Sequence, residues 1–154
     1  MQQRPTFIIN NKQLVRAAGV VFYNIKDGQV EVFFRNKGDF GGKCNAEDSN
    51  PKQTAIREVC EESNGYFVSK WLHQQIDIRK YLYLYKAKYV LYFVKIGNIN
   101  EKDINDYFGT VEKFSGKEHL CEWITLGQKT TGLHKRLPSS KVLLNKILEF
   151  NNLK

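Results

Sequence analysis

The stretch Asn50 to Gly65, NPKQTAIREVCEESNG, constrains the fold more than any other part of the chain. Pro51 suits the first turn of a helix, Asn50 just before it is a capping residue, and Asn64-Gly65 supplies a stop. The spacing predicts a helix over Pro51 to Ser63. On that helix Glu58, Glu61 and Glu62 stand at i, i+3 and i+4 and share one face. Ile56, Val59, Cys60 and Ser63 lie mostly on another side, where they can pack on a sheet. Like-charged residues four apart repel by about 0.2–0.5 kcal/mol per pair, and Arg57, four residues before Glu61, offsets only part of this.

The flanking segments read as that sheet. Val15 to Tyr23 (VRAAGVVFY) is expected to be a buried strand, Lys26-Asp27-Gly28 a turn, and Val30 to Arg35 (VEVFFR) the returning strand. Gly38 to Lys43, with three glycines, reads as a loop. Tyr66 to Gln75 carries no decisive pattern. Ile76 to Leu84 and Lys88 to Ile96, rich in Tyr, Val and Ile, are expected to pair. Glu122 to Leu126 is a further short strand and Ile104 to Phe108 a short helix. Ser139 to Phe150 reads as a helix behind a Ser cap, with Val142, Leu143, Ile147 and Leu148 at helical spacing. No repeat or linker interrupts the 154 residues, so a single domain over 1–154 is expected, of mixed α/β (α+β) class.

A hard divalent cation turns the repulsion among Glu58, Glu61 and Glu62 into coordination, and Mg²⁺ and Mn²⁺ both favour carboxylate oxygen. Adjacent glycines before the helix let backbone approach a metal or phosphate closely, and Lys43 can reach a phosphate oxygen. Metal and carboxylates together polarise a phosphoryl group and generate hydroxide near neutral pH. Pyrophosphate hydrolysis needs these parts. A solvated face with one ion pair would account for three glutamates alone. It does not account for the order strand, Gly-Gly-Lys, then Arg57-Glu58-Val59-Cys60-Glu61-Glu62.

That order resembles the Nudix box. Gly41 to Gly65, GGKCNAEDSNPKQTAIREVCEESNG, is similar to the family's G-x5-E-x7-R-E-U-x-E-E-x-G-U, with U a bulky apolar residue. Arg57 to Glu62 match every fixed position, Gly42 matches the opening glycine, and Ala55 falls where a small residue is usual. From Gly42 to Arg57 there is one residue too many, so the loop acid falls on Asp48 or on Glu47, with an insertion between Asp48 and the helix. Asn64 stands at the closing glycine, with Gly65 one later. The resemblance implies a Nudix-like α/β/α sandwich, a mixed β-sheet flanked by helices. It also implies a Mg²⁺- or Mn²⁺-dependent hydrolase that cleaves the pyrophosphate (phosphoric anhydride) bond of a nucleoside diphosphate linked to another moiety. Glu58, Glu61, Glu62 and the Gly41 carbonyl resemble the metal ligands, and Arg57 the arginine that orients the glutamates. Glu118 falls where many members add an acid, as extra ligand or general base, with Glu112 next in line. The catalytic base is then Glu58 or Glu118. Family members often form homodimers.

The formal net charge of +8 raises the local concentration of polyanions. Nucleotides and RNA are therefore expected partners, with a dinucleoside polyphosphate or an RNA 5′ end or cap favoured among substrates. Arg35 and Lys37, just before the glycine loop, can face phosphates. Tyr81, Tyr83 and Tyr85 alternate on one strand face, opposite Leu82 and Leu84. Stacking on a base would contribute about 1–3 kcal/mol, which makes Tyr81 and Tyr83 candidate substrate contacts, and packing against a helix is the competing use. Two other functions compete: a Nudix-like module that holds nucleotide or RNA without cutting it, and a metal-independent RNA-binding protein. The second leaves the glutamates unexplained. Cys44, Cys60 and Cys121 are odd in number and widely spaced, which fits reduced thiols in a cytoplasmic protein. MQQRPTFIINNKQ lacks the apolar core of a signal peptide, and Tyr89 to Ile96 is too short to span a bilayer, so no membrane partner is expected.

Overall fold

The computed structural model of the protein describes residues 4–108, 120–127 and 130–152. Along them run β1 (Phe7–Ile9), β2 (Gln13–Val15), β3 (Ala17–Lys26), β4 (Gln29–Arg35), β5 (Phe40–Lys43), α1 (Pro51–Glu62), α2 (Ser69–Gln75), β6 (Tyr81–Leu84), β7 (Tyr89–Lys95), α3 (Glu101–Phe108), β8 (Cys121–Thr125) and α4 (Ser140–Phe150). Two compact units emerge. One comprises Met1–Val21 and Phe40–Val94, the other Phe22–Asp39 and Lys95–Lys154, and β3 runs through both.

In the first unit β6 pairs antiparallel with β7, Tyr81 opposite Tyr92 and Tyr83 opposite Val90. β7 lies beside β3. The Arg16 N–H donates to the Lys88 carbonyl at 2.7 Å and, farther along the same two strands in the second unit, the Ile96 N–H donates to the Tyr23 carbonyl at 2.8 Å. Partner numbers rise together along the two strands, so this pair is parallel and the sheet is mixed. β5 pairs antiparallel with β3, Gly19 opposite Gly41 and Ala18 opposite Gly42. The segment read as a loop, Gly38 to Lys43, is therefore strand from Phe40 onward. Glycine has poor strand propensity, and here the pairing partner outweighs it.

The α1 helix forms as its local signals dictate. Asn50 Oδ1 accepts the Gln53 N–H at 2.9 Å, and Pro51 occupies the first turn. Asn64 and Gly65 are both left-handed, φ 51° and 78°, and the Gly65 N–H returns to the Cys60 carbonyl at 2.8 Å. Ala55, Ile56 and Val59 are buried, where α1 packs against β5 and α2. Each fully buried Ile or Val stabilises by about 1.5–3 kcal/mol. Phe67 extends this core, edge-on to Phe40 at 5.9 Å and stacked on Trp71 at 5.9 Å. The strand expected over Ile76 to Leu84 is shorter, because Asp77 Oδ1 captures the Arg79 N–H at 2.9 Å and turns the chain first. A hairpin of β1 and β2, Ile9 opposite Gln13, was not anticipated.

In the second unit β3 and β4 close on the two-residue turn Asp27-Gly28, φ 52° and 77°, the positive pair that a tight hairpin requires. β4 pairs antiparallel with β8, Phe33 opposite Trp123, their rings 5.3 Å apart. The Asn100 side chain caps the start of α3 by accepting the Asp103 N–H at 3.2 Å. This helix begins at Glu101, earlier than the Ile104 expected. Ser139 accepts the Val142 N–H at the start of α4, as its position predicts. Arg136 Nε donates to the fully buried carboxylate of Asp39 at 2.9 Å. Among the described residues no helix is long and apolar enough to cross a membrane, and all three cysteines are free thiols.

Candidate functional site

The site grows from the seam between β5 and α1, within the first unit. Two glycines stand in succession on β5 because other groups fill the space of their side chains. A Cβ on Gly41 would lie 1.9 Å from the Tyr89 hydroxyl and 2.6 Å from Gly19 Cα, and one on Gly42 would lie 2.5 Å from Glu58 Cδ. The Glu58 carboxylate thus rests on the Gly42 backbone. One turn later, Glu62 Oε1 accepts the Gly41 N–H at 2.7 Å. In a paired strand the N–H and C=O of one residue leave on the same side, so the Gly41 carbonyl points to the side where Glu62 sits. Glu61 stands at the rim, its side chain 59% exposed.

Arg57 ties these parts together. Its Nε and Nη2 donate to Asp48 Oδ1 and Oδ2, each at 3.0 Å. Nη2 also donates to the Lys43 carbonyl at 2.8 Å, while Nη1 reaches Glu58 at 3.0 Å and Glu61 at 3.4 Å. Asp48 is buried, and it also accepts the Asn45 N–H at 2.9 Å and the Thr54 hydroxyl at 2.8 Å. Asp48, not the exposed Glu47, is therefore the loop acid that meets the arginine. Burial alone would raise the Asp48 carboxyl. The Arg57, Asn45 and Thr54 hydrogen bonds outweigh it and hold the carboxyl below its ordinary value. Glu58 goes the other way: burial, reinforced by Glu61, pushes it up despite Arg57.

The donors gathered here are carboxylate and carbonyl oxygens, the set that suits a hard divalent cation. Three carboxylates, Asp48, Glu58 and Glu61, meet one guanidinium, and Glu62 adds a fourth on the same helix, which leaves negative charge in excess. Among the described residues no three His, Cys, Asp or Glu side chains stand close enough together to hold a metal ion. Arg57 engages Glu58 and Glu61, and the Gly41 N–H engages Glu62.

The other expected residues are scattered. Lys43 ends β5 with its side chain exposed, and Arg35 ends β4 in the second unit. Tyr81 shares its hydroxyl with the Asn10 amide, and the Tyr83 hydroxyl donates to the Leu14 carbonyl at 2.6 Å. Glu118 and Glu112 lie outside the described residues. Thr54 and Tyr89 escaped the sequence reading. Thr54 sits inside a helix pattern that hides its reach to Asp48, and Tyr89 approaches Gly41 only through strand pairing.

A crystal structure of a C. elegans Ap4A hydrolase binary complex is similar to the chain, with a TM-score of 0.51 and 20% identity over 90% of this chain and 98% of that one. A Nudix hydrolase from M. smegmatis, RenU, gives a TM-score of 0.47 and 12% identity over 90% and 89%. No family model and no curated protein matches the chain. The first likeness shows the fold alone, a mixed sheet flanked by helices.

Proposed function

We propose that the chain, as one domain, is a metal-dependent Nudix-type hydrolase that cleaves the pyrophosphate bond of a nucleotide-type substrate. The observation that supports this is the seating of Glu58 and Glu62 on the Gly41-Gly42 backbone. Mg²⁺ or Mn²⁺, held by Glu58, Glu61, Glu62 and the Gly41 carbonyl with Glu118 as a further ligand, would polarise a phosphoryl oxygen and acidify a water. Arg57, braced by Asp48, sets where Glu58 and Glu61 stand. Glu58 or Glu118 takes the proton of the attacking water. A carboxyl raised by burial, as Glu58 is, is the stronger base of its kind. The exposed Lys43 meets a phosphate oxygen. The charge of +8 favours a highly charged substrate, and the C. elegans protein is named for Ap4A. Dinucleoside polyphosphates and RNA 5′ ends are therefore the first substrates to assay.

The test is turnover of Ap4A, ADP-ribose, nucleoside triphosphates and capped RNA with Mg²⁺ and with Mn²⁺. Glu62→Gln should lower turnover about 100-fold or more with the melting temperature nearly unchanged, and full turnover in that variant overturns the assignment. Glu58→Gln and Glu118→Gln separate the two candidate bases by their pH profiles. One observation favours a second reading, a module that holds nucleotide or RNA uncut: the glutamates are not gathered around a common point. That reading predicts binding in excess chelator with no product under any metal.

A further inference from the structure

Charge in the first unit is sorted by segment. Its Asp and Glu residues all fall between Glu47 and Asp77, on the loop before α1, on α1 itself and just after α2. Residues 4–21 and 78–94 build β1, β2, the start of β3, β6 and nearly all of β7. They carry no acid, and every formal charge on them is Arg or Lys. Backbone pairing draws several of these cations to one place. The Arg16 N–H donates to the Lys88 carbonyl at 2.7 Å, and the Arg16 carbonyl accepts the Cys44 N–H at 2.9 Å. Arg4 Nη1 donates to the Cys44 carbonyl at 3.3 Å, and Lys43 stands opposite Ala17. Neighbouring strands lie about 5 Å apart, so the backbones of Lys88, Arg16 and Lys43 fall within about 10 Å of one another. Arg4, Arg16, Lys43 and Lys86 are exposed. Among the described residues neither they nor Lys88 form an ion pair. Like charges gathered without counter-ions repel one another, and a polyanion relieves that repulsion.

The same place holds an aromatic ring. Tyr85, in the turn between β6 and β7, is 73% exposed, and the Lys88 ammonium sits 3.9 Å from its ring centroid. The Lys88 N–H returns to the Tyr85 carbonyl at 3.3 Å, with Lys88 left-handed at φ 52°, which holds the two side by side. An open ring beside unpaired cations suits single-stranded nucleic acid, whose bases stack on the ring while its phosphates meet the cations. A membrane surface would call for apolar side chains to bury, and Tyr85 is followed by Lys86, Ala87 and Lys88. The surface borders the glutamate seam, because Arg57 Nη2 donates to the Lys43 carbonyl at 2.8 Å.

We propose that this surface binds the chain of a single-stranded nucleic acid, with Tyr85 stacked on a base and Arg16, Lys86 and Lys88 on phosphates. Binding here needs neither a diphosphate nor a metal, so it is independent of the proposed hydrolysis. The contacts read a phosphodiester and the face of a base, so ribose and deoxyribose chains both fit.

The test is fluorescence anisotropy of labelled oligouridylate and oligothymidylate with 5′-hydroxyl ends, titrated with the whole chain in excess EDTA at several salt concentrations. Both strands should bind. The logarithm of affinity should fall with that of salt concentration at a slope near −2, about −0.7 for each of three phosphates. Lys86→Gln together with Lys88→Gln should make the slope shallower by about 1.4 and weaken binding about tenfold or more at low salt. Tyr85→Ala should weaken binding about fivefold or more with the slope unchanged. Lys70→Gln together with Lys102→Gln removes the same charge from exposed positions on α2 and α3, and should keep the wild-type slope. The inference is overturned by wild-type affinity in the Lys86/Lys88 or the Tyr85 variant, or by an equal loss in the Lys70/Lys102 variant. It is also overturned if neither strand binds, phosphatidylserine vesicles binding instead included. Binding that responds as expected in a chain that hydrolyses nothing sustains this surface and removes the proposed function. Turnover of Ap4A without oligonucleotide binding does the reverse.

Discussion

Replacing Asp48 tests the clasp that sets the glutamates. Its carboxylate is almost wholly buried and takes four hydrogen bonds: two from Arg57 at 3.0 Å, one from the Asn45 N–H and one from Thr54. Removing one partner of a buried ion pair costs about 3–5 kcal/mol. Arg57 retains Glu58, Glu61 and the Lys43 carbonyl, and a fifth of its side chain meets solvent. The loss in Asp48→Ala is therefore set lower, at about 2–3 kcal/mol. A chain of this size shifts by about 2–4 °C per kcal/mol, so the melting temperature should fall by about 4–12 °C. Glu47→Ala, at an exposed neighbour, should stay within about 0.5 kcal/mol of wild type. The pH dependence has a definite sign. The folded Asp48 carboxyl lies below its unfolded value near 3.8. Its contribution is therefore complete above that value and is lost as pH falls through the folded pKa. Wild type should lose its advantage over Asp48→Asn below about pH 4. Thermal melts between pH 7 and pH 3 with a cycle through Arg57→Ala measure all of this. Additive effects of Asp48→Ala and Arg57→Ala, or a Glu47→Ala loss as large as that of Asp48→Ala, would refute the clasp.

Two further outcomes follow from the same seam. Gly42→Ala places a methyl 2.5 Å from where Glu58 Cδ now lies, too close for the carboxylate to stay. Activity on whichever substrate the turnover assay identifies should drop about tenfold or more while the fold survives, and a variant as active as wild type would show that Glu58 need not rest on this backbone. Mg²⁺ or Mn²⁺ at about 100 times its Kd should stabilise the chain by about 2.7 kcal/mol, or about 5–10 °C. The gain should vanish in Glu61→Gln or Glu62→Gln, and a rise that survives both would place the ion elsewhere.

What could be read from the sequence divides by the range of the interaction that decides it. Pro51, Asn50 and Asn64-Gly65 act within four residues of one another or of the helix they end, so α1 was legible almost to its last residue. Asp27-Gly28 and Ser139 act equally locally, and their turn and cap appear where expected. β5 was not legible. Its strand character comes from pairing with Ala17 to Val20, and its glycines answer to a tyrosine from β7 and a glutamate from α1, neither near in sequence. The β1–β2 hairpin is likewise made by two three-residue strands around Asn10 and Asn11, too short for alternation to register.

The loop acid shows why counting was insufficient there. Spacing from Gly42 indicated Asp48, while the extra residue before Arg57 left Glu47 open. The loop takes up that residue without moving the acid off the arginine. The Asp48 N–H closes a turn on the Asn45 carbonyl at 3.0 Å, and the carboxylate returns to the Asn45 N–H, so the turn and the acid brace each other. Thr54 then fixes the carboxylate from the helix side. The conserved quantity in such a site is thus the geometry between one acid and one guanidinium, not the number of residues between them. An inserted residue costs only loop entropy, which grows slowly with length, whereas a displaced carboxylate would leave Arg57 half-buried and short of its strongest partner.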